Sequence, residues 1–190
     1  MAMRTVLSIH KAAVLLLALF TCVPLASAQK FLKLPAVEVF GGYSHLRFDS
    51  QPLGFSNQLN LDGWNVGLSL PDLYQGLGIA ADVSGHYGSD MEEYNFMVGP
   101  QFIYPWKSLR PFGHALFGKA RDRLRHPGNT ELEPSTLGRA VALGGGLDVQ
   151  LSPRLYIRAI QADYLSTNAF NSTQNNLRFS SGLIFRFGKR

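Results

Sequence analysis

The residues best suited to chemistry are Asp82, Ser84 and His86, spaced two apart. On a strand that spacing puts all three on one face. A hydroxyl, an imidazole and a carboxylate within hydrogen-bond reach are the parts of a nucleophilic hydrolase, and Glu38 offers a second acid. His45 faces the other way, and the positions two away from it, Tyr43 and Arg47, supply no serine nucleophile. A second group needs no bond-making. Lys119, Arg121, Arg123 and Arg125 share one parity, and Arg139 carries the same parity further on. Guanidinium groups bind phosphate in bidentate fashion, so this run could hold phosphorylated surfaces. The chain has one cysteine, Cys22, which excludes a disulfide framework and a Cys-based zinc site. No metal or cofactor is expected.

Strands must position these groups. The 190 residues are 46% hydrophobic and 12% aromatic but only 16% charged, with 19 glycines; the aromatic load excludes a disordered chain. Met1 to Ala28 reads as a cleaved secretory signal peptide, with Arg4, His10 and Lys11, an apolar stretch from Ala12 to Phe20, and Ala26-Ser27-Ala28 as the small-x-small site. Thr21 before Cys22 argues against a lipid-anchored cysteine. Without that segment, residues 29–190 form one domain with 16 basic and 13 acidic residues, too mild a surplus for a nucleic-acid binder.

After Pro35 the period is two. Alternating segments run over Val37–Phe48, Asn60–Leu70, Leu77–Tyr87, Tyr94–Tyr104, Pro111–Arg121, Leu137–Leu151, Leu155–Leu165 and Asn176–Phe187. The fifth is hard to phase, since Phe112 and Phe117 have opposite parity, and the seventh requires a bulge near Ile160. One face carries Val, Leu, Phe and Trp. The other carries Gly, Ala and Ser together with Glu38, Asp82, His86, Gln101, Asp148, Arg158, Arg178 and Arg186, with His114 as an addition. Charges inside and aromatics outside imply lipid as the solvent. Backbone groups in hydrocarbon must all be paired, so the expected fold is an all-β, eight-stranded antiparallel up-and-down transmembrane barrel with a polar lumen. The short, Pro-bearing links Pro71–Gly76, Pro105–Arg110 and Ser152–Arg154 are expected at the periplasmic side. Asp49–Leu59, Asp122–Thr136 and Ser166–Asn175 are expected as long outer loops, with Gly88–Glu93 as a short one. Trp64, Tyr87, Tyr94, Tyr104, Trp106 and Tyr164 fall near strand ends, as interfacial girdles do.

The last strand, Ser180-Ser181-Gly182-Leu183-Ile184-Phe185-Arg186-Phe187, resembles the C-terminal signal of bacterial outer-membrane barrels, with Gly182, Phe185 and Phe187 at its marked positions. It departs from the pattern in continuing to Gly188-Lys189-Arg190. With the opening Glu38-Val39-Phe40-Gly41-Gly42-Tyr43-Ser44 and the length after residue 28, the chain resembles the small eight-stranded barrels of the OmpA-like and OmpX-like kind. That resemblance implies residence in a Gram-negative outer membrane, amid its lipid and lipopolysaccharide, after insertion by the barrel-assembly machinery.

Three functions then compete. A narrow lumen lined by those charges is expected to be a salt-bridged plug rather than an ion path. The outward cations Lys119, Arg121, Arg123, Arg125 and Arg139 either meet lipopolysaccharide phosphates or form a solvated hairpin stem to which Glu131 and Glu133 pair back; in both cases a non-catalytic envelope or surface-binding protein is expected. The alternatives are a lipid A-modifying enzyme built on Ser84 and His86, and a soluble, lipocalin-like barrel with an apolar ligand inside. The lipocalin alternative requires a large apolar lumen face, which the glycine-rich sets of the second, third and sixth strands oppose.

Overall fold

The computed structural model describes residues 36–48, 59–89, 91–124, 135–169 and 172–188. Eight strands follow one another: β1 (Val37–Phe48), β2 (Leu59–Tyr74), β3 (Leu77–Tyr87), β4 (Met91–Ile103), β5 (Leu109–Leu124), β6 (Ser135–Gln150), β7 (Leu155–Ala169) and β8 (Ser172–Phe187). Each pairs antiparallel with its chain neighbours, and β8 closes on β1, so no edge is left open. At the closing seam Gly42 and Gly182 are cross-strand partners. A Cβ on Gly182 would stand 2.5 Å from the Gly42 Cα and 2.3 Å from the Gly41 carbonyl oxygen, so only glycine fits there.

Alternation does what the sequence predicts. Leu68, Phe96, Phe117 and Leu143 stand outward, each more than half exposed, while Glu38, Asp82, His86 and Asp148 on the opposite parity are buried. The strands are longer than their apolar stretches suggest. β5 begins at Leu109 and ends at Leu124, so Arg110 and Asp122 lie in the sheet rather than in links. Glu92 and Glu93 belong to β4 instead of the outer loop assigned to Gly88–Glu93. The largest correction is at Ser166–Asn175, expected as a long loop. Ser166 pairs with Asn175 and Ala169 with Ser172, making a tight hairpin. A strand that rises above lipid is polar on both faces, so periodicity cannot reveal it.

The short connections follow from turn chemistry. Gln75 (φ 50°) and Gly76 (φ 87°) link the paired Tyr74 and Leu77, the positive-φ pattern that matches the strand twist. The segment Pro71–Gly76 is therefore strand, bulge and turn, with the register shift between Leu70 and Tyr74 spanning Pro71, which has no N–H to give the ladder. The bulge expected near Ile160 is present: Arg158 pairs with Asp148 and Ile160 with Leu147, leaving Ala159 over. As a result Arg158 and Gln161 both face the lumen, whereas Ala159 and Ile160 are both exposed. β5 needs no bulge, since Phe112 points inward and Phe117 outward.

Candidate functional site

Two sites emerge, one inside the barrel and one on its wall. Each sequence-assigned lumen residue is inside: Glu38, Asp82, Gln101 and His114 are buried, His86, Asp148 and Arg178 wholly so, and Arg158 and Arg186 nearly so. The network they form begins at the end carrying the short turns. There Glu38 accepts from Arg110 Nη2 at 2.9 Å and from Arg186 Nε at 2.7 Å. Asp148 accepts from Arg158 Nε at 2.8 Å. The Arg158 guanidinium lies 4.1 Å from the Phe112 ring centre and 4.6 Å from that of Phe40. This is why Phe112 turns inward: the aromatic faces replace water around a desolvated cation.

From Arg158 the chain of bonds continues without a break. Its Nη1 donates to Gln161 Oε1 at 2.7 Å, and Gln161 Nε2 donates to Asp163 Oδ2 at 2.7 Å. Arg178 grips the same Asp163 through Nε (2.9 Å) and Nη2 (2.7 Å). Its Nη1 reaches across to Asp82 on β3 at 2.7 Å, and Asn65 on β2 donates to that carboxylate at 2.8 Å. His114 closes the group on Asp163 Oδ1 at 2.7 Å. A void of about 20 Å³ beside Phe40, Gln101 and His114 has room for about one water molecule.

Four members of this plug are absent from the lumen set assigned from sequence. Arg110 falls in a stretch that reads as a turn. Gln161 and Asp163 change face at the bulge. Asn65 is inward by simple parity, so counting uncharged amides as lumen candidates would have found it. The alternative catalytic pairing of Ser84 with His86 does not form. Ser84 Oγ accepts from Arg178 Nη1 at 3.1 Å, and His86 Nε2 instead meets Ser44 Oγ at 2.9 Å, with Ser180 Oγ 2.9 Å beyond. Ser44 and His86 are both fully buried. Leu46, Phe48, Leu61 and Met91 form an apolar cap at the far end of the lumen, which sequence alternation alone does not predict. Glu93 and Asp122 are buried cross-strand neighbours at that end, and Asn95 Nδ2 donates to Glu93 at 2.7 Å.

On the wall, Lys119 pairs across strands with Arg139, and Arg121 with Leu137. Lys119, Arg121 and Arg139 are exposed, without an acidic partner among the described residues. Arg123 is half-buried opposite Glu92. Arg125 lies outside the described residues, as do Glu131 and Glu133. Arg121 also pairs with Tyr94, which packs edge-on to Tyr87 with ring centres 5.7 Å apart, and Tyr87 accepts from Trp64 Nε1 at 3.1 Å. The cations therefore sit along an aromatic girdle. Nearby, His45 Nδ1 and the Tyr43 hydroxyl both bond Asp62, so outward His45 has an acid but no serine. At the opposite end Tyr104 and Trp106 are exposed, and Phe185 and Phe187 stand outward on β8.

No family model matches this sequence, and no curated protein matches it. Solved structures do. The chain is similar to Neisserial surface protein A (14% identity, TM-score 0.62, 80% of this chain and 99% of that one). It is similar to Ail, the attachment invasion locus protein of Yersinia pestis (17%, 0.56, 80% and 99%), which has also been solved with the heparin analogue sucrose octasulfate. It is similar to the N-terminal β-barrel domain of Pseudomonas aeruginosa OprF (14%, 0.50, 80% and 97%). The class is thereby defined: the fold is that of the small eight-stranded outer-membrane barrels.

Proposed function

We propose that this chain is an integral outer-membrane protein, exported through a signal peptide at residues 1–28, without catalytic activity. Its plugged lumen makes it a rigid anchor, and its wall binds lipopolysaccharide. The observation that carries the reading is the cross-strand pair Lys119 and Arg139, two cations without an acidic partner among the described residues, beside Arg121 at the upper margin of an apolar wall. With the short turns in the periplasm, that margin is where lipid A phosphates lie. Ail, a barrel of the same size, takes a sulfated sugar; the ridge gives this chain its own means of holding such an anion. Gly182, Phe185 and Phe187 would serve recognition by the assembly machinery.

The exterior argues against a soluble lipocalin-like barrel, since Leu68, Phe96, Phe117 and Leu143 would stand in water. A lipid A-modifying enzyme would need a hydroxyl and base open to the lipid, and Ser44 with His86 is sealed inside. The deciding experiment is purification of wild type and a Lys119→Ser, Arg121→Ser, Arg139→Ser variant from the same membranes. The variant is expected to retain less lipopolysaccharide; equal retention contradicts the ridge.

A further inference from the structure

The barrel's short-turn mouth, far from the ridge, carries an unbalanced charge. A cleft of about 370 Å³ there is lined by Lys107, Arg110, Gln150, Arg154, Tyr156 and Arg186, among others, none of them acidic. Beneath it, Arg110 and Arg186 share one carboxylate, Glu38, and Asp148 is taken by Arg158. Asp72, on the adjoining cleft, accepts from the Gly76 amide at 2.8 Å. The side chains of Lys107 and Arg154 have no hydrogen bond or ion pair among the described residues. Anions are thus outnumbered, and the surplus faces an open cavity.

Lys107 adds a second, independent sign. It opens the two-residue loop between Trp106 and Leu109, whose backbones exchange bonds of 2.8 and 2.9 Å. Its φ is 56°, a left-handed conformation that such loops normally fill with glycine, asparagine or aspartate. A lysine held there at a backbone cost is the kind of outlier that points to use of its side chain.

We infer that this mouth is a binding site for a phosphoryl-bearing anion, gripped by Lys107 and Arg154 at the rim with Arg110 and Arg186 behind them. Guanidinium forks match phosphoryl oxygens, and several surplus cations favour a multiply charged group over a single carboxylate. That chemistry has two sources, a soluble phosphate ester or the headgroup of an anionic phospholipid. The site does not depend on the lipopolysaccharide reading.

The test is calorimetric titration of the folded barrel in nonionic detergent with inorganic pyrophosphate, and separately with short-chain phosphatidylglycerol against phosphatidylcholine. Wild type is compared with Lys107→Gly, Arg154→Ser. The variant should melt no lower than wild type, because glycine relaxes the turn, yet bind about tenfold more weakly or worse. Discrimination with pyrophosphate supports a soluble ligand; discrimination only with phosphatidylglycerol supports a headgroup. Equal affinities of wild type and variant for both probes, or no binding by wild type, overturn the inference.

Discussion

Arg178 and Asp163 meet at the centre of the lumen, Nη2 to Oδ2 at 2.7 Å, with both side chains fully withdrawn from solvent. Arg178 lies on β8 and also holds Asp82 on β3, so one guanidinium ties together strands that do not touch through the backbone. Breaking a buried pair from one side leaves an uncompensated charge, at a cost of about 3–5 kcal/mol. Arg178→Ala should therefore lower the midpoint of urea unfolding in detergent by that equivalent. The joint change Arg178→Met, Asp163→Asn, Asp82→Asn should cost much less. If the single variant unfolds like wild type, the plug does not hold the barrel together.

In the proposed reading the same plug also closes the axis. Purified protein in planar bilayers should give no stable single-channel steps, because Glu38, Asp148 and Asp163 are each engaged by arginine. Discrete currents that vanish when Arg158 or Arg186 is neutralised would instead show an ion path.

Burial also separates Ser44 and His86 from substrate. Their 2.9 Å contact is a structural hydrogen bond in this account, so purified protein should leave lipid A acyl chains intact and Ser44→Ala should change nothing in that assay. Deacylation by wild type that Ser44→Ala abolishes would overturn the non-catalytic reading.

Lipopolysaccharide retention by the ridge should weaken with salt, since exposed charges are screened within about 8 Å at physiological ionic strength. Each of Lys119→Ser, Arg121→Ser and Arg139→Ser should lower retention and flatten that salt dependence. A salt slope unchanged by all three substitutions would place the contact elsewhere.

What the sequence reveals follows from where lipid is. Trp64, Val66 and Leu68 alternate with Asn65 and Gly67 because the outer face must be apolar and the inner one cannot be. That contrast phases β1 to β4, β6 and β8. It fails where both faces are polar, as at Ser166–Asn175, and where aromatic residues serve as partners for a cation, as Phe112 does beneath Arg158. At the bulge the cue is the clash of parity itself: Arg158 and the pair Gln161 and Asp163 can share a face only if one residue is left over, as Ala159 is. The serine partner of His86 is illegible for a different reason. Ser44 is brought to it by pairing through β2, a relation between distant segments that spacing along one strand does not contain.

A barrel whose apolar face looks out into a membrane should keep its fold in SDS until it is heated. The direct measurement is electrophoretic mobility of the protein from a salt-washed outer-membrane fraction, boiled against unboiled in SDS. A closed barrel tied by Arg178 and sealed between β1 and β8 should stay compact at room temperature and migrate differently only after heating. Recovery of the protein from the soluble periplasmic fraction, with no heat-dependent shift, would contradict the account.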